Sequence, residues 1–581
     1  MVRKSGVYES LKGSSLNIAK VRLQGFRNFK NATVNFNDKT LIIGSNDVGK
    51  TNLIHGIRLL LDKTLSERDI EPQLTDFYIG DKGEQESLFS ITIFFSGIKE
   101  DAVLSVLKGH VDDEDNSIIS FEADRKSLDY QIKVGCSEDE LEVVPSRFYL
   151  KQLNLRYVRS RRDLEKFIQT EKRNLLKQSL ESLSEDDFDL DQAELVEIAS
   201  KLDEVNEKVA GLNYVKDATS VVNEELQKLA YSYSDYSVQL DTGSIKVSQF
   251  IENLQLGATS AGSKLLLGGD GRNNQILLAL WKAKSQREFD PEHEVVFYCV
   301  EEPEAHLHPH QQRKLADYLI HHLPGQTIIT SHSPQVTERY KPDSIVRLLT
   351  GTAGSTAANN GCSKCISDAW DNLGYRMSIL PAESFFSNCV LLVEGPSEKL
   401  FYEELAKQLG IDLDYYNISI LSVDGIQFRV YVDILDAMEI PWVVRTDNDV
   451  SGIKGKPYKR AVGINRCYRL IKEANMFDFG QSTISQTLVD NGIWEIASKR
   501  VNPHGVFLSK IDLENDLALE LEPELLDFSK KPKVEEAVHY LQNQKAIRMR
   551  EFLYRKGTKL SKISKGELAR PLHFAVDKVS S

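Results

Sequence analysis

Three short stretches of the chain carry residues whose types and spacing suit phosphate chemistry. Gly44-Ser-Asn46-Asp-Val-Gly49-Lys50-Thr51 is a full GxxxxGK[ST] match. Glycines in such a loop let backbone N–H groups approach phosphate oxygens. The lysine reaches the β- and γ-phosphates, the threonine hydroxyl holds Mg2+, and a following helix adds the positive end of its dipole. A loop of this kind also needs an acidic strand end for the metal and the attacking water. VVFYCV-Glu301-Glu302-Pro303-Glu304 supplies it, with Glu301 at the position that binds Mg2+ through water and Glu302 at the position that activates the hydrolytic water. TIITSHSP sets His332 after the next strand, where it can sense the γ-phosphate. In LLLGGDGRNNQILLAL, the turn Gly269-Asp270-Gly271-Arg272 precedes a helix whose N-terminus can cap the γ-phosphate of a nucleotide bound to a second subunit.

A second set is purely acidic. LLVEGPSE brings Glu394 to a strand end with Glu398 four residues later, WVVRTDND carries Asp447 and Asp449, and FLSKIDLENDL carries Asp512 and Glu514 at a strand-to-helix transition. The period of two along a strand puts Asp447 and Asp449 on one side. Each acid alone also suits a helix N-cap or a surface turn. Together, six carboxylates on one sheet edge repel unless a counter-charge is present. Oxygen-rich sites suit Mg2+ or Mn2+, and two such ions can clamp the attacking and leaving oxygens of a phosphodiester.

Other clusters are weaker. AHLHPH carries His306, His308 and His310, and Cys362-Ser-Lys-Cys365 is a CxxC with no second pair nearby; neither spacing completes a zinc site. Residues 454–474 and the tail 554–571 are rich in lysine and arginine and can track DNA phosphates or form solvated helix faces.

The elements that must position these groups follow from periodicity. LNIAKVRLQGFRNFKNATVNF predicts two strands with a turn near Gly25–Asn28, LIIG a buried strand, and TNLIHGIRLLLD a helix. LFSITIFF and RFYLKQLNLRYV (147–158) predict further strands, and VVFYCV and TIIT resume the sheet after a charged, helical insertion over about 160–245. Its apolar spacing is too irregular for a long coiled coil and offers a dimerisation surface. The small, Gly-rich run 350–375 reads as a linker. Beyond it, strands and helices alternate, which predicts a parallel sheet flanked by helices, and VEEAVHYLQNQKAIRMREFLYRK predicts one long helix.

The totals agree with two domains of a cytoplasmic protein. With 581 residues, 41% hydrophobic and 27% charged, the chain can bury more than one core. No apolar run approaches the ~20 residues of a membrane helix, and the first residues lack the apolar stretch of a signal peptide. Six scattered cysteines suit a reducing compartment. A net charge of −14 argues against a protein that coats nucleic acid indiscriminately, while leaving room for a local basic groove.

The first set of motifs resembles the ABC-type ATPase heads of the RecF and structural-maintenance-of-chromosomes group, in which residues 269–272 would stand for the signature motif acting in trans, without its usual Ser-Gly-Gly form. The second resembles the Toprim domain of topoisomerases, primases and nucleases. A head fused in front of a Toprim resembles the OLD (overcoming lysogenisation defect) family, and within it the A subunits of Gabija anti-phage systems. GSNDVGKTNLIHGIRLLLDK, LLVEGPSEKLFYEEL, TDND, IDLENDL and VHYLQNQK carry that likeness in order. It implies an α/β chain: an ABC-type ATPase head over 1–375, then a Rossmann-like Toprim nuclease domain over 376–581. It implies Glu394, Glu398, Asp447, Asp449, Asp512 and Glu514 as metal ligands, and Lys545 as the charge that stabilises the pentavalent phosphate. It further implies ATP with Mg2+ in the head, double-stranded DNA as substrate, a homo-oligomer (dimer or tetramer) and a helicase partner subunit. The expected function is an ATP-regulated, metal-dependent endonuclease in phage defence. A repair nuclease of the same family and a non-cleaving ATP-dependent DNA clamp are the alternatives.

Overall fold

The computed structural model describes residues 16–80, 82–159, 164–214, 217, 220, 223–224, 257–260, 263–266, 279, 281–282, 289–290, 292–371, 382–423, 425, 427–452, 459–474 and 484–580. The Gly269–Arg272 turn lies outside them. The chain divides into two compact units, Met1–Arg159 with Asp290–Glu304 and His308–Ser581, and Ser160–Phe289 with Ala305–Leu307.

Among its described residues the first unit holds two sheets of four or more strands and a two-stranded ribbon, Val450–Gly452 with Lys459–Ala461. The larger has twelve strands. One half is antiparallel and includes Asn17–Phe26, Phe29–Asn35 and Leu88–Ser96, paired as alternating strands. The other half is parallel: Ile345–Gly351, Lys39–Ile43, Thr327–Thr330, Val295–Glu301 and Leu153–Arg159 lie side by side in that order. Every residue of Val295–Glu301 is buried, as a parallel strand covered on both faces requires. The helix Lys50–Leu61 lays Leu53, Ile57 and Leu60 into the core formed with Leu23, Ile91 and Phe95. Residues Phe148–Lys151 form a 3-10 turn, so the strand expected over 147–158 begins only at Leu153.

The described part of the expected linker, 350–371, is not a free linker. Gly354–Ala357 closes a tight hairpin on Ile345–Gly351, and Lys364–Asp371 is helical. Its small residues serve the turn: Gly354, at φ 87°, stands so near the Asn28 carbonyl that a Cβ would meet it at 2.7 Å. The adjoining Arg347 reaches into the C-terminal part. Its guanidinium donates to four main-chain carbonyls, those of Phe385 at 3.2 Å, Ser387 at 3.0 Å, Met438 at 3.2 Å and Glu439 at 2.9 Å. Burial lowers its pKa to about 10. Asn359 adds bonds to the Ala437 carbonyl and the Glu439 carboxylate.

The smaller sheet is wholly parallel, in the order Ile418–Ser422, Cys389–Val393, Trp442–Thr446, Val506–Leu508. The first strand in sequence lies second in space, so strand order reverses between Cys389–Val393 and Trp442–Thr446. Ligands of open α/β sheets bind in the crevice at the carboxyl ends of such a pair. The helix Pro396–Gln408 and the C-terminal helices cover one face with Phe401, Leu405, Phe552 and Leu572. The single long helix expected near the C-terminus is two, Val534–Gln542 and Lys545–Lys556. Gln544 breaks it at φ 82°, a backbone setting no helix contains.

The second unit includes the helices Leu164–Glu181 and Glu185–Ala210, the latter capped by Ser184, whose hydroxyl accepts from the Asp187 N–H.

Candidate functional site

The phosphate loop joins Lys39–Ile43 to Lys50–Leu61, so its glycines bridge a strand end and a helix start. Gly49 caps that helix at φ 103°, and a Cβ there would strike the Asn28 amide at 2.1 Å. Asn28 in turn donates to the Val48 carbonyl. Lys50 is buried and its ammonium donates to the Gly44 and Ser45 carbonyls at 2.9 and 2.7 Å. Burial pulls its pKa down to about 8 against the opposing pull of Glu302, Asp47 and Glu304. Asn46 and Thr51 are exposed at the mouth.

Facing this loop across the sheet edge are the other expected groups. Glu301, buried, accepts from the Tyr157 hydroxyl at 2.8 Å. Glu302 stands at φ 44°, with its N–H held by the Thr330 carbonyl and hydroxyl. Such a setting is costly for a non-glycine residue and is found where function fixes the backbone. His332 Nε2 lies 3.4 Å from the Glu302 carboxylate. Glu304, to which the motif assigns no role, accepts from the Ser331 hydroxyl at 2.7 Å and the His332 N–H at 2.9 Å, so it fixes the histidine's backbone. Burial raises its pKa. His308 and His310 stack on one another, and His310 Nδ1 lies 2.8 Å from the Arg313 guanidinium. All six cysteines are unpaired, Cys362 and Cys365 included.

The acidic set gathers at the reversal crevice of the small sheet. Glu394 follows Cys389–Val393, and one of its oxygens accepts from the Thr446 hydroxyl at 2.6 Å, the Asp447 N–H at 2.8 Å and the Arg466 guanidinium at 2.5 Å. Arg466 spans to Asp449 with its other amino group, at 2.6 Å. The strand stops at Thr446, so its alternation does not govern Asp447 and Asp449, and the two differ in exposure. Asp447 turns inward, accepting from the Ser509 hydroxyl at 3.2 Å, while Asp449 is 46% exposed. The helix Val462–Leu470 can pack this closely because Gly463 has no side chain; a Cβ would meet the Asp447 carbonyl at 2.3 Å.

Asp512 is a helix N-cap, accepting from the Asn515 N–H and side-chain amide, and its second oxygen accepts from Gln542 at 2.7 Å. Glu514 is fully buried, and neither oxygen has a hydrogen-bond partner. Lys545 Nζ is 3.5 Å away, delivered there by the break at Gln544. Burial raises the Glu514 pKa, and the lysine opposes the rise only in part. Burial works to lower the Lys545 pKa, but Glu514, Asp447, Asp512 and Glu398 outweigh it and the value is raised. Asp447 is driven well above the carboxylate range by burial and by Glu394, with Glu398 and Asp512 adding to it. Glu394, Glu398, Asp447, Asp512, Glu514 and Lys545 thus lie in one electrostatic field, with Asp449 joined through Arg466.

Among the described residues, no three His, Cys, Asp or Glu side chains form a ready cation cage. Arg466 stands between Glu394 and Asp449, and amide donors hold Asp512. The donor set nevertheless fits a hard divalent cation: all the candidate donor atoms are carboxylate oxygens, and the two orphaned oxygens of Glu514 are the kind of buried acceptor that a cation would satisfy. Arg466, Thr446, Ser509 and Tyr157 carry no sequence signal of their roles. Arg466 sits inside the basic run 454–474, yet nothing in that run says that this arginine faces carboxylates. In the basic tail, Lys556, Lys562 and Arg570 are engaged by Asp527, Glu524 and Glu567.

Residues 17–242 and 212–337 match the AAA ATPase domain family, and residues 385–449 match the TOPRIM domain of overcoming-lysogenization-defect-like proteins. The chain belongs to the AAA ATPase domain family and carries an OLD-like TOPRIM domain behind the ATPase. It is similar to Endonuclease GajA of Bacillus cereus (strain VD045), 24% identical over 94% of this chain and 96% of that protein. It is also similar to the OLD nuclease of Thermus scotoductus (strain ATCC 700910 / SA-01), 29% identical over 26% of this chain and 30% of that protein. The C-terminal region of the Burkholderia pseudomallei OLD protein matches at 21% identity and a TM-score of 0.22, over 33% of this chain and 99% of that one.

Proposed function

We propose that this chain is an ATP-regulated, divalent-metal-dependent DNA endonuclease acting in anti-phage defence. The observation that carries the nuclease reading is Glu514: a fully buried carboxylate with no hydrogen-bond donor, beside Lys545 and in the field of Asp512 and Glu398, at the reversal crevice of a parallel sheet. A scaffold or a non-cleaving clamp has no use for so costly a group. The similarity to a named endonuclease along almost the whole chain supports the same reading.

Glu394, Glu398, Asp447, Asp449, Asp512 and Glu514 would hold Mg2+ or Mn2+, which would polarise the phosphodiester and lower the pKa of the attacking water. Lys545 brings a positive charge to the developing phosphorane oxygens. Ser509 and Thr446 orient Asp447 and Glu394. In the head, Gly44, Asn46, Gly49, Lys50 and Thr51 would cradle ATP with its Mg2+, Glu301 and Glu302 would serve metal and water, and His332 would report the γ-phosphate. The trans role of Gly269, Asp270, Gly271 and Arg272 requires a second copy. The helix Glu185–Ala210 supports one, exposing Phe188, Leu190, Val196 and Val205; light scattering that finds only a 65.7 kDa monomer with and without ATP argues against it. A helicase partner follows from the Gabija likeness. Among the described residues no helix is long and apolar enough to cross a membrane, and six unpaired cysteines suit a cytoplasmic setting.

The test is a supercoiled plasmid incubated with purified protein in Mn2+ and in EDTA. Wild type nicks or linearises it only with metal, and Asp449→Asn leaves it intact. Uncut plasmid across Mg2+ and Mn2+, with DNA bound, favours the clamp.

A further inference from the structure

Beside the acidic crevice lies a cavity of about 400 Å³ whose polar lining is Gln427, Arg429, Arg460, Asn465, Arg466 and Arg469. That size is at the lower end of pockets that take a ligand, ~300–1,000 Å³. Four arginines therefore line one small space, and among the described lining residues none is a carboxylate. Arg460 and Arg469 are exposed and have no ion pair with a described residue; Arg429 stands 3.5 Å from Asp433, which is not in the lining. Arg466 is paired with Glu394 and Asp449, which leaves the two exposed arginines, in a chain of net charge −14, as a local cationic focus that marks a place for an anion.

The ligand class follows from the groups present. A guanidinium is a planar fork that matches phosphate oxygens, and Gln427 and Asn465 add neutral polar atoms at the rim. The described lining contains no aromatic ring on which a base could stack and no glycine loop to wrap a polyphosphate. The pocket therefore reads phosphate without reading base. Arg466 forms its wall and also bonds Glu394 and Asp449, so the pocket and the acids share one side chain. We propose that this pocket holds a backbone phosphate of the DNA strand adjacent to the one that is cut, a reading that rests on the nuclease function proposed above. Arg429, Arg460 and Arg469 hold the strand, and Arg466 ties its register to the carboxylates.

The experiment measures binding of a fluorescent DNA duplex to the full chain in EDTA, where nothing is cut, as salt rises from about 50 to about 200 mM. Removing one cation that neutralises a phosphate flattens the slope of log affinity against log salt by ~0.9. Arg460→Gln/Arg469→Gln, two exposed positions whose change spares the core, takes both cations from the one phosphate and is expected to flatten the slope by ~0.9, so that its affinity falls ~3.5-fold less than that of wild type over this range. Arg460→Lys/Arg469→Lys restores the slope, because a point charge also neutralises phosphate. An unchanged slope in the glutamine variant overturns the proposal, as does a wild type that binds no duplex. Loss of labelled ATP binding in that variant with DNA binding intact overturns it too, in favour of a free-nucleotide site. Metal-dependent cleavage is scored separately. A wild type that cuts while the glutamine variant keeps its slope fails the pocket alone, and one whose slope depends on these arginines but never cuts fails the nuclease reading alone.

Discussion

Replacing Glu514 by methionine should make the metal-free protein more stable and its metal response weaker. The side chain is fully buried, neither oxygen is hydrogen-bonded, and Lys545, its one near counter-charge at 3.5 Å, is itself 45% exposed. A buried polar group left without a partner costs roughly 1–3 kcal/mol. Methionine is unbranched, apolar and of similar length, and Lys545 can turn to water when the carboxylate is gone. The pair returns part of the cost, so the expected net gain is about 1–2 kcal/mol, which at ~2–4 °C per kcal/mol raises the melting temperature of this part by roughly 2–8 °C. The sign of the pH dependence is set by the raised pKa. Above the ordinary glutamate value of about 4.3, the folded state binds more protons at Glu514 than the unfolded state, so wild-type stability falls as pH rises through the folded value. The advantage of Glu514→Met is therefore larger at alkaline pH and narrows on acidification toward the ordinary glutamate value. Mn2+ at about 100 times its dissociation constant should add ~2.7 kcal/mol to wild type and clearly less to the variant. Thermal melts in EDTA and in Mn2+ at alkaline and at acidic pH read all of this. A variant that melts below wild type in EDTA at high pH, or a gap that widens on acidification, refutes the reasoning.

Glu394→Ala should abolish plasmid cleavage and also cost roughly 1–3 kcal/mol, because three donors, among them the buried Arg466, lose one acceptor. Asp449→Asn, at a side chain 46% exposed, should abolish cleavage with a melting transition within about 1 kcal/mol of wild type; equal losses of stability in the two would contradict the burial difference. Lys50→Ala should cut DNA with little sensitivity to ATP, whereas wild type slows as ATP rises at fixed free Mg2+. A resting enzyme in ATP-rich surroundings must be held off, and a swing from 1:99 to 99:1 takes about 5.5 kcal/mol of differential affinity. Acceleration of wild type by ATP, or identical responses of the two proteins, removes the restraint model.

What the sequence made legible was chemistry compressed into a few consecutive residues. The phosphate loop and the acidic strand ends are of that kind, since a strand end delivers its neighbours to one crevice without help from distant residues. Alternation of strands and helices likewise foretells a parallel C-terminal sheet. What stays hidden depends on separation along the chain. Arg466 meets Glu394 across 72 positions, and Tyr157 meets Glu301 across 144. Two local rules hold over a shorter range than the sequence suggests. Strand alternation ends at Thr446 and does not govern Asp447 and Asp449, and helical spacing ends at Gln544, whose left-handed backbone separates two helices. The N-cap role of Asp512, which the sequence leaves open beside metal binding, occupies one of its oxygens while the Gln542 amide takes the other.

The four carbonyls gathered by Arg347 bear on how such a chain can be taken apart and recombined. They belong to the segments that lead into the Glu394 and Asp447 strands, while the arginine belongs to the strand paired with the one that enters the phosphate loop, in register with Ile43. A nuclease fragment expressed without the head would keep four acceptors whose donor has gone, and a head fragment would bare a guanidinium that the whole chain keeps buried. Exchange between relatives is therefore expected to trade loops and the helical insertion, and to inherit head and nuclease as a single block wherever an arginine holds that register.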